Sequence, residues 1–151
     1  MLANCNDPKL IVIEVKYSLN ARKTVHAYFD ALTAGNTQKL IDLISQASHF
    51  AKIGTDENEF VEGGQNALDY YRHHVASTED FTIEFSHLDI QERDLVAWFY
   101  TRQIWNLRWQ GVEEKLVVRM TGVLEKEAGT WKFVQIHASI GSPNLTENEC
   151  P

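Results

Sequence analysis

Four long segments in the second half of the chain set the tightest limit on its fold. They are FTIEFSHLDIQE (81–92), DLVAWFYTRQIWNLRW (94–109), EEKLVVRMTGVLEKE (113–127) and TWKFVQIHASIG (130–141). Each alternates with a period of two, and short polar turns at Glu92-Arg93-Asp94, Gln110-Gly111 and Ala128-Gly129 link them. Such a pattern predicts a meander of long antiparallel strands. Within it, WFYTRQIW (98–105) would turn Trp98, Tyr100, Arg102 and Ile104 to one side and Phe99, Thr101, Gln103 and Trp105 to the other. Both sets are half aromatic, so neither reads as a solvated face, and both faces of the sheet need a cover.

One cover lies in the preceding sequence. From about Asn20, Val25, Tyr28, Phe29 and Leu32 fall on one helical face, and Gly35-Asn36 stops the helix. TQKLIDLISQ gives a second short helix, with Leu40, Leu43 and Ile44 together. QNALDYYRHHVA gives a third, with Ala67, Tyr70, Tyr71 and His74 clustered. Between them HFAKIG reads as a short strand and TDENEFVEGG as a polar loop or hairpin. KLIVIEVKYSL fits strand and helix periods equally, so both readings of residues 9–19 stay open. Helices first and strands after indicate an α+β domain with the helices on one sheet face. Residues 1–141 are expected to form this single domain and 142–151 a polar tail. Helices can cover one face only; a second copy of the chain is the simplest cover for the other, which predicts a homodimer.

Charge and composition narrow the function. A net charge of −7 disfavours nucleic-acid binding. No apolar run approaches the ~18 residues of a membrane span, and MLANCNDPKLIVIEVK has no basic leader before an apolar block. A cytoplasmic location is therefore expected. Cys5 and Cys150, near the two ends, are expected to be free thiols. No cofactor or metal is expected: the rings of His73 and His74 diverge on a helix, His26, His49 and His87 complete no ligand motif, and Asp56, Glu57 and Glu59 lack calcium-loop spacing.

The chain resembles SnoaL-like proteins of the nuclear transport factor two (ketosteroid isomerase-like) superfamily. The resemblance is carried by AYFDALTAGN with KLIDLI (27–44), FAKIGTD…VEGGQNALDYY (50–71), LVAWFYTR (95–102) and RMTGVLEKEAGTWKFVQIHAS (119–139). It is also similar to the association domain of calcium/calmodulin-dependent kinase II, whose final segment ends similarly. The resemblance implies a cone-shaped α+β barrel: a strongly bent antiparallel sheet wrapped over three helices and around a cavity, with dimers packed through the convex face. The superfamily holds enzymes, scaffolds and binding proteins, so the fold does not fix an activity.

The same resemblance nominates site residues. Tyr28, seven residues before Gly35, matches the oxyanion-donating tyrosine of ketosteroid isomerases; a core aromatic is the alternative. The isomerase base has no counterpart, because Gly54 stands near its place, and Thr121 occupies the position of the second oxyanion donor. Arg102, in Tyr100-Thr101-Arg102, matches a pocket arginine of the kinase domain. It would hold an anionic ligand group, or else pair with Glu62, Asp69 or Glu84. Further pocket arginines of that domain are replaced by Thr121 and Ala138, with Arg119 as a substitute on the face of Thr121. Ile136 and Ala138 are set toward the cavity and His137 toward the partner. His137 and Ser139, at i and i+2, stand too far apart for a nucleophile–base pair.

The expected pocket is therefore Tyr28, Trp98, Tyr100, Arg102, Arg119, Thr121, Ile136 and Ala138, and the expected dimer face Phe99, Thr101, Trp105 and His137. The expected ligand is a mostly apolar small molecule with a polar or anionic end. Isomerase, cyclase or lyase chemistry stays open, and a non-catalytic assembly module is the alternative.

Overall fold

The computed structural model describes residues 19–143. The readings of residues 1–18, of the two cysteines and of the tail from 144 lie outside the described residues.

Helix α1 (Ala21–Ala34) starts where Asn20 Oδ1 accepts the Lys23 amide at 2.8 Å. It ends where Gly35 turns left-handed (φ 67°), and Asn36 N–H then closes on Ala31 O. Asn36 caps α2 (Thr37–Leu43) by accepting from Lys39 N–H at 3.0 Å. The expected apolar stripe of Val25, Tyr28, Phe29 and Leu32 is buried. Strands β1 (Ala51–Ile53) and β2 (Phe60–Glu62) form a hairpin, so the polar loop does return as a strand. A 3-10 turn at Gly64–Asn66 leads into α3 (Ala67–Ser77). That helix passes straight into β3 (Thr78–Arg93), with Thr78 Oγ1 donating to His74 O across the junction. β4 (Val96–Trp109), β5 (Val112–Glu127) and β6 (Thr130–Ile140) complete the expected meander.

The six strands form one curved, unclosed sheet in the order β2-β1-β6-β5-β4-β3. The β1–β6 pair is parallel, a departure from the all-antiparallel expectation. Bulges interrupt β3 between Glu79 and Thr82 and between Phe85 and His87, and β6 beside Val123/Leu124. β4 and β5 pair without a break from Val96↔Glu125 to Trp109↔Val112. At their centre Phe99 faces Gly122, and a Cβ on Gly122 would collide with the Phe99 ring. The missing side chain lets that ring lie flat on the neighbouring strand, where it packs against Phe29 and Phe133.

The core forms between α1–α3 and the inner sheet face. On β4 the inward set is Ala97, Phe99, Thr101, Gln103, Trp105 and Leu107. The two faces assigned from sequence are thus exchanged. Phe99, Thr101 and Trp105, expected at a dimer face, are buried beneath the helices; Trp98, Tyr100 and Arg102, expected to line a cavity, lie on the outer face. Register explains why the expected pocket could not form as one group. Residues directly opposed across strands share a face. Thr101 opposes Met120, which opposes Ala138, so Ala138 points inward with Thr101. Arg102 opposes Arg119, which opposes Ser139, and Tyr100 opposes Thr121, which opposes His137. Tyr28, Ile136 and Ala138 are inside, whereas Trp98, Tyr100, Arg102, Arg119 and Thr121 are outside with His137.

Candidate functional site in the cone

The inner face does not close completely over the helices. A cavity of about 350 Å³ remains at one end of the sheet, among β1, the β1–β2 loop, α3 and the ends of β4–β6. Trp105, Leu107, Trp109, Leu116, Ala138 and Ile140 form its apolar wall, and Lys52, Thr55, Asp56, Glu59, Tyr70, His74 and Glu114 supply the polar groups. Of the expected pocket residues only Ala138 lines it. Trp105, expected at the dimer face, lines it as well.

Lys52 sits in the middle of β1 and is only 5% exposed. Its Nζ lies 5.1 Å from the Tyr70 ring centroid and 5.9 Å from that of Tyr71. The rings offer a cation their negative faces, but no hydrogen bond or ion pair to the amine is found among the described residues. Burial pulls the Lys52 pKa down to about 8, against the opposing pull of Glu59.

Glu59 comes from the β1–β2 loop. Its carbonyl accepts Gly54 N–H at 2.7 Å, and its own N–H donates to Asp56 O at 3.0 Å, which folds the loop back on β1. A Cβ on Gly54 would fall on the Glu59 carboxylate. The Glu59 side chain thus occupies the volume that the glycine leaves. Partial burial, reinforced by Asp56, raises the Glu59 pKa, while Lys52 and Tyr70 oppose the shift. Tyr70 Oη donates to Glu59 Oε2 at 3.3 Å. Burial first, and then the Glu59 charge, keep the Tyr70 phenol protonated.

His74, one turn further along α3, is 8% exposed. It packs among Tyr70, Phe81 and Trp109, and its Nε2 has no partner among the described residues. Burial, with minor help from Lys52 and His73, lowers its pKa to about 4, so the ring is neutral at pH 7. Gln103 is fully buried: its Oε1 accepts Trp105 Nε1–H at 2.6 Å and its Nε2 is unpartnered among the described residues. Buried polar groups without partners cost free energy; His74 Nε2 is sealed from solvent, whereas the Lys52 side chain lines the cavity. Tyr28 stands one layer behind, fully buried, sharing a 2.7 Å hydroxyl–hydroxyl hydrogen bond with Tyr71. Burial raises the pKa of both phenols.

Sequence reasoning missed Lys52, Glu59, Tyr70 and His74 as site residues. TDENEF read as a solvated loop, and the helix pattern took Tyr70 and His74 as packing residues. The available signal was Gly54, a glycine ending a strand where a neighbouring side chain needs room. On the outer face Arg102 pairs with none of Glu62, Asp69 and Glu84, and no salt bridge holds Arg102 or Arg119 among the described residues. His49, Glu125 and Glu127 also converge, but His49 Nε2 lies 3.4 Å from Glu125 and Glu127 accepts from Ser45 Oγ at 2.5 Å, so these contacts account for the grouping.

Comparison with known proteins agrees with this architecture. Residues 21–143 match the SnoaL-like domain family, and the chain belongs to that family. Among solved structures it is similar to a candidate dehydratase of the NTF2-like family from Streptomyces avermitilis, at 16% identity and a TM-score of 0.72 over 91% of this chain and 100% of that one. It is similar to a ketosteroid isomerase-like protein from Erwinia carotovora atroseptica, at 17% identity and a TM-score of 0.67 over 81% and 94%. A candidate calcium/calmodulin-dependent protein kinase II association domain from Xanthomonas campestris is 23% identical, with a TM-score of 0.66 over 85% and 91%. These likenesses establish a shared fold. No curated protein matches the chain.

Proposed function

We propose that the chain binds a small, mostly apolar molecule in the inner cavity and holds its polar or anionic end against Lys52. The observation that carries this reading is a buried amine at the cavity wall with no acceptor among the described residues. A ligand oxygen would supply that acceptor, while Trp105, Leu107 and Trp109 take the apolar body. Glu59, beside Tyr70 and Lys52, gives the cavity a carboxylate able to move a proton next to a carbonyl, as isomerase, cyclase or lyase chemistry requires. Arg102, the ligand contact expected from sequence, is not part of this reading. Octanoate and octanol, titrated against the fluorescence of Trp105 and Trp109, test it. Octanoate should bind more tightly, and Lys52→Met should weaken octanoate by about tenfold or more while sparing octanol. Equal loss of both, or no binding of either, would remove Lys52 from the site.

A second reading concerns the outer face and rests on its exposed aromatics: Trp98 is 37% and Tyr100 51% exposed. Tyr100 lies beside the opposed Arg102 and Arg119, and with them, Thr121 and His137 it borders a shallow depression. We propose this face as a homodimer contact in a cytoplasmic protein. Sedimentation at micromolar concentration should give a dimer that Tyr100→Glu dissociates; a monomer would defeat the reading. Among the described residues no helix is long and apolar enough to cross a membrane.

A further inference from the structure

We propose that Lys52 captures carbonyl compounds covalently, its amine forming an imine with an aldehyde or ketone bound in the cone cavity. The proposal rests on the cavity-binding reading above and narrows its ligand to a carbonyl compound. Three features of the site point to it. The Lys52 side chain is buried yet borders open volume, so its amine meets a bound molecule before it meets bulk water. It has no hydrogen-bond acceptor or ion pair among the described residues; an amine locked to a carboxylate would have to break that pair before attacking. Proton-carrying groups line the same cavity: Glu59, hydrogen-bonded to Tyr70.

The chemistry closes without an outside reagent. The neutral amine adds to the carbonyl carbon, forming a C–N bond, and a proton passes from nitrogen to oxygen to give a carbinolamine. The C–O bond then breaks as that oxygen takes a second proton and leaves as water, the nitrogen lone pair forms C=N, and the nitrogen gives its remaining proton back to the donor. Nothing is oxidised or reduced; one carbonyl and one amine give one imine and one water. Glu59 and Tyr70 stand where they can take and return the protons. A lysine amine must be neutral to attack, and burial favours that form. With a pKa of about 8, roughly a tenth of Lys52 is neutral at pH 7, against less than about one part in a thousand for an exposed lysine.

The test uses para-fluorobenzaldehyde and sodium cyanoborohydride with the full-length chain at pH 7. Fluorine NMR reports occupancy, and peptide mass mapping locates the reduced adduct. The expected result is one adduct on Lys52, formed at least about tenfold faster than any on Lys126 or Lys132, and slowed by excess para-fluorobenzyl alcohol, which fits the same cavity but cannot form an imine. Lys52→Arg and Lys52→Met should lose that adduct. Occupancy without selective labelling of Lys52 overturns the imine and leaves the cavity reading standing. Neither occupancy nor selective labelling overturns both. Labelling of Lys52 that the alcohol does not slow places the reaction outside the cavity and overturns the proposal as stated.

Discussion

Strand β4 sends Trp98 and Tyr100 to the outer face of the sheet and Phe99 and Trp105 to the inner one, yet the two faces treat their polar groups in opposite ways. On the outer face Tyr100, Arg102, Arg119, Thr121 and His137 are exposed, and the two arginines sit directly opposite each other with no carboxylate between them. Water screens that repulsion, so the arrangement costs little. On the inner face His74 Nε2 and Gln103 Nε2 lack partners among the described residues where water cannot compensate, and each costs far more, while the Lys52 amine borders the cavity without an acceptor. Unpartnered charge on a surface carries little information. Unpartnered polarity in a core, bordering a cavity, marks the place where something else is meant to bind.

Substitutions that treat the faces unequally probe this contrast. The largest effect should come from Phe99→Ala, which empties the space over Gly122 between Phe29 and Phe133; it should destabilise the fold by about 3–5 kcal/mol in chemical denaturation. Its outer neighbour, Tyr100→Ala, should cost no more than about 1 kcal/mol in the monomer; equal losses would mean that the outer face is also covered.

Next in size is the acid response of the inner face. His74 titrates near 4 in the folded protein and near 6.5 when unfolded, so the unfolded chain takes up the proton first. Stability should fall as pH drops from 6.5 to 4, by about 3 kcal/mol in all, and level off below. His74→Phe should flatten this slope, and an unchanged slope would assign it to other groups.

Gly54→Asp should be smaller, at about 1–3 kcal/mol, because the new side chain must displace the Glu59 carboxylate; Gly54→Ala should show much of the same loss. The smallest change is expected on the outer face. Arg119→Glu replaces a like-charge opposition to Arg102 with an attraction and should stabilise the monomer by about 0.2–1 kcal/mol, with the gain shrinking as salt is added.

Periodicity made most elements legible: the three helices and the four long strands were readable from spacing and turn residues, whereas the β1–β2 return stayed open between a loop and a hairpin. The direction of β4 was not read correctly, because an eight-residue window centred on Arg102 gives both faces equal aromatic weight. Extending the comparison to 97–108 breaks the tie. The odd positions end in Ala97 and Leu107, the even ones in Asn106 and Arg108. The site was less legible still. Lys52, Glu59, Tyr70 and His74 come from a strand, a loop and a helix, and no local spacing connects them. Their meeting depends on the parallel pairing of β1 with β6 and on the loop folding over Gly54, both long-range consequences of the fold.

The irregular β3 has a further consequence. Among the described residues it is a sixteen-residue strand at an edge of the sheet, and such an edge invites pairing with the edge of another molecule. Two bulges break its hydrogen-bonding rhythm, and Glu79, Asp80, Glu84, Asp89 and Glu92 spread negative charge along its length. Copies of the chain approaching edge to edge would meet mismatched backbones and mutual repulsion, so this border resists the runaway sheet extension that leads to aggregates.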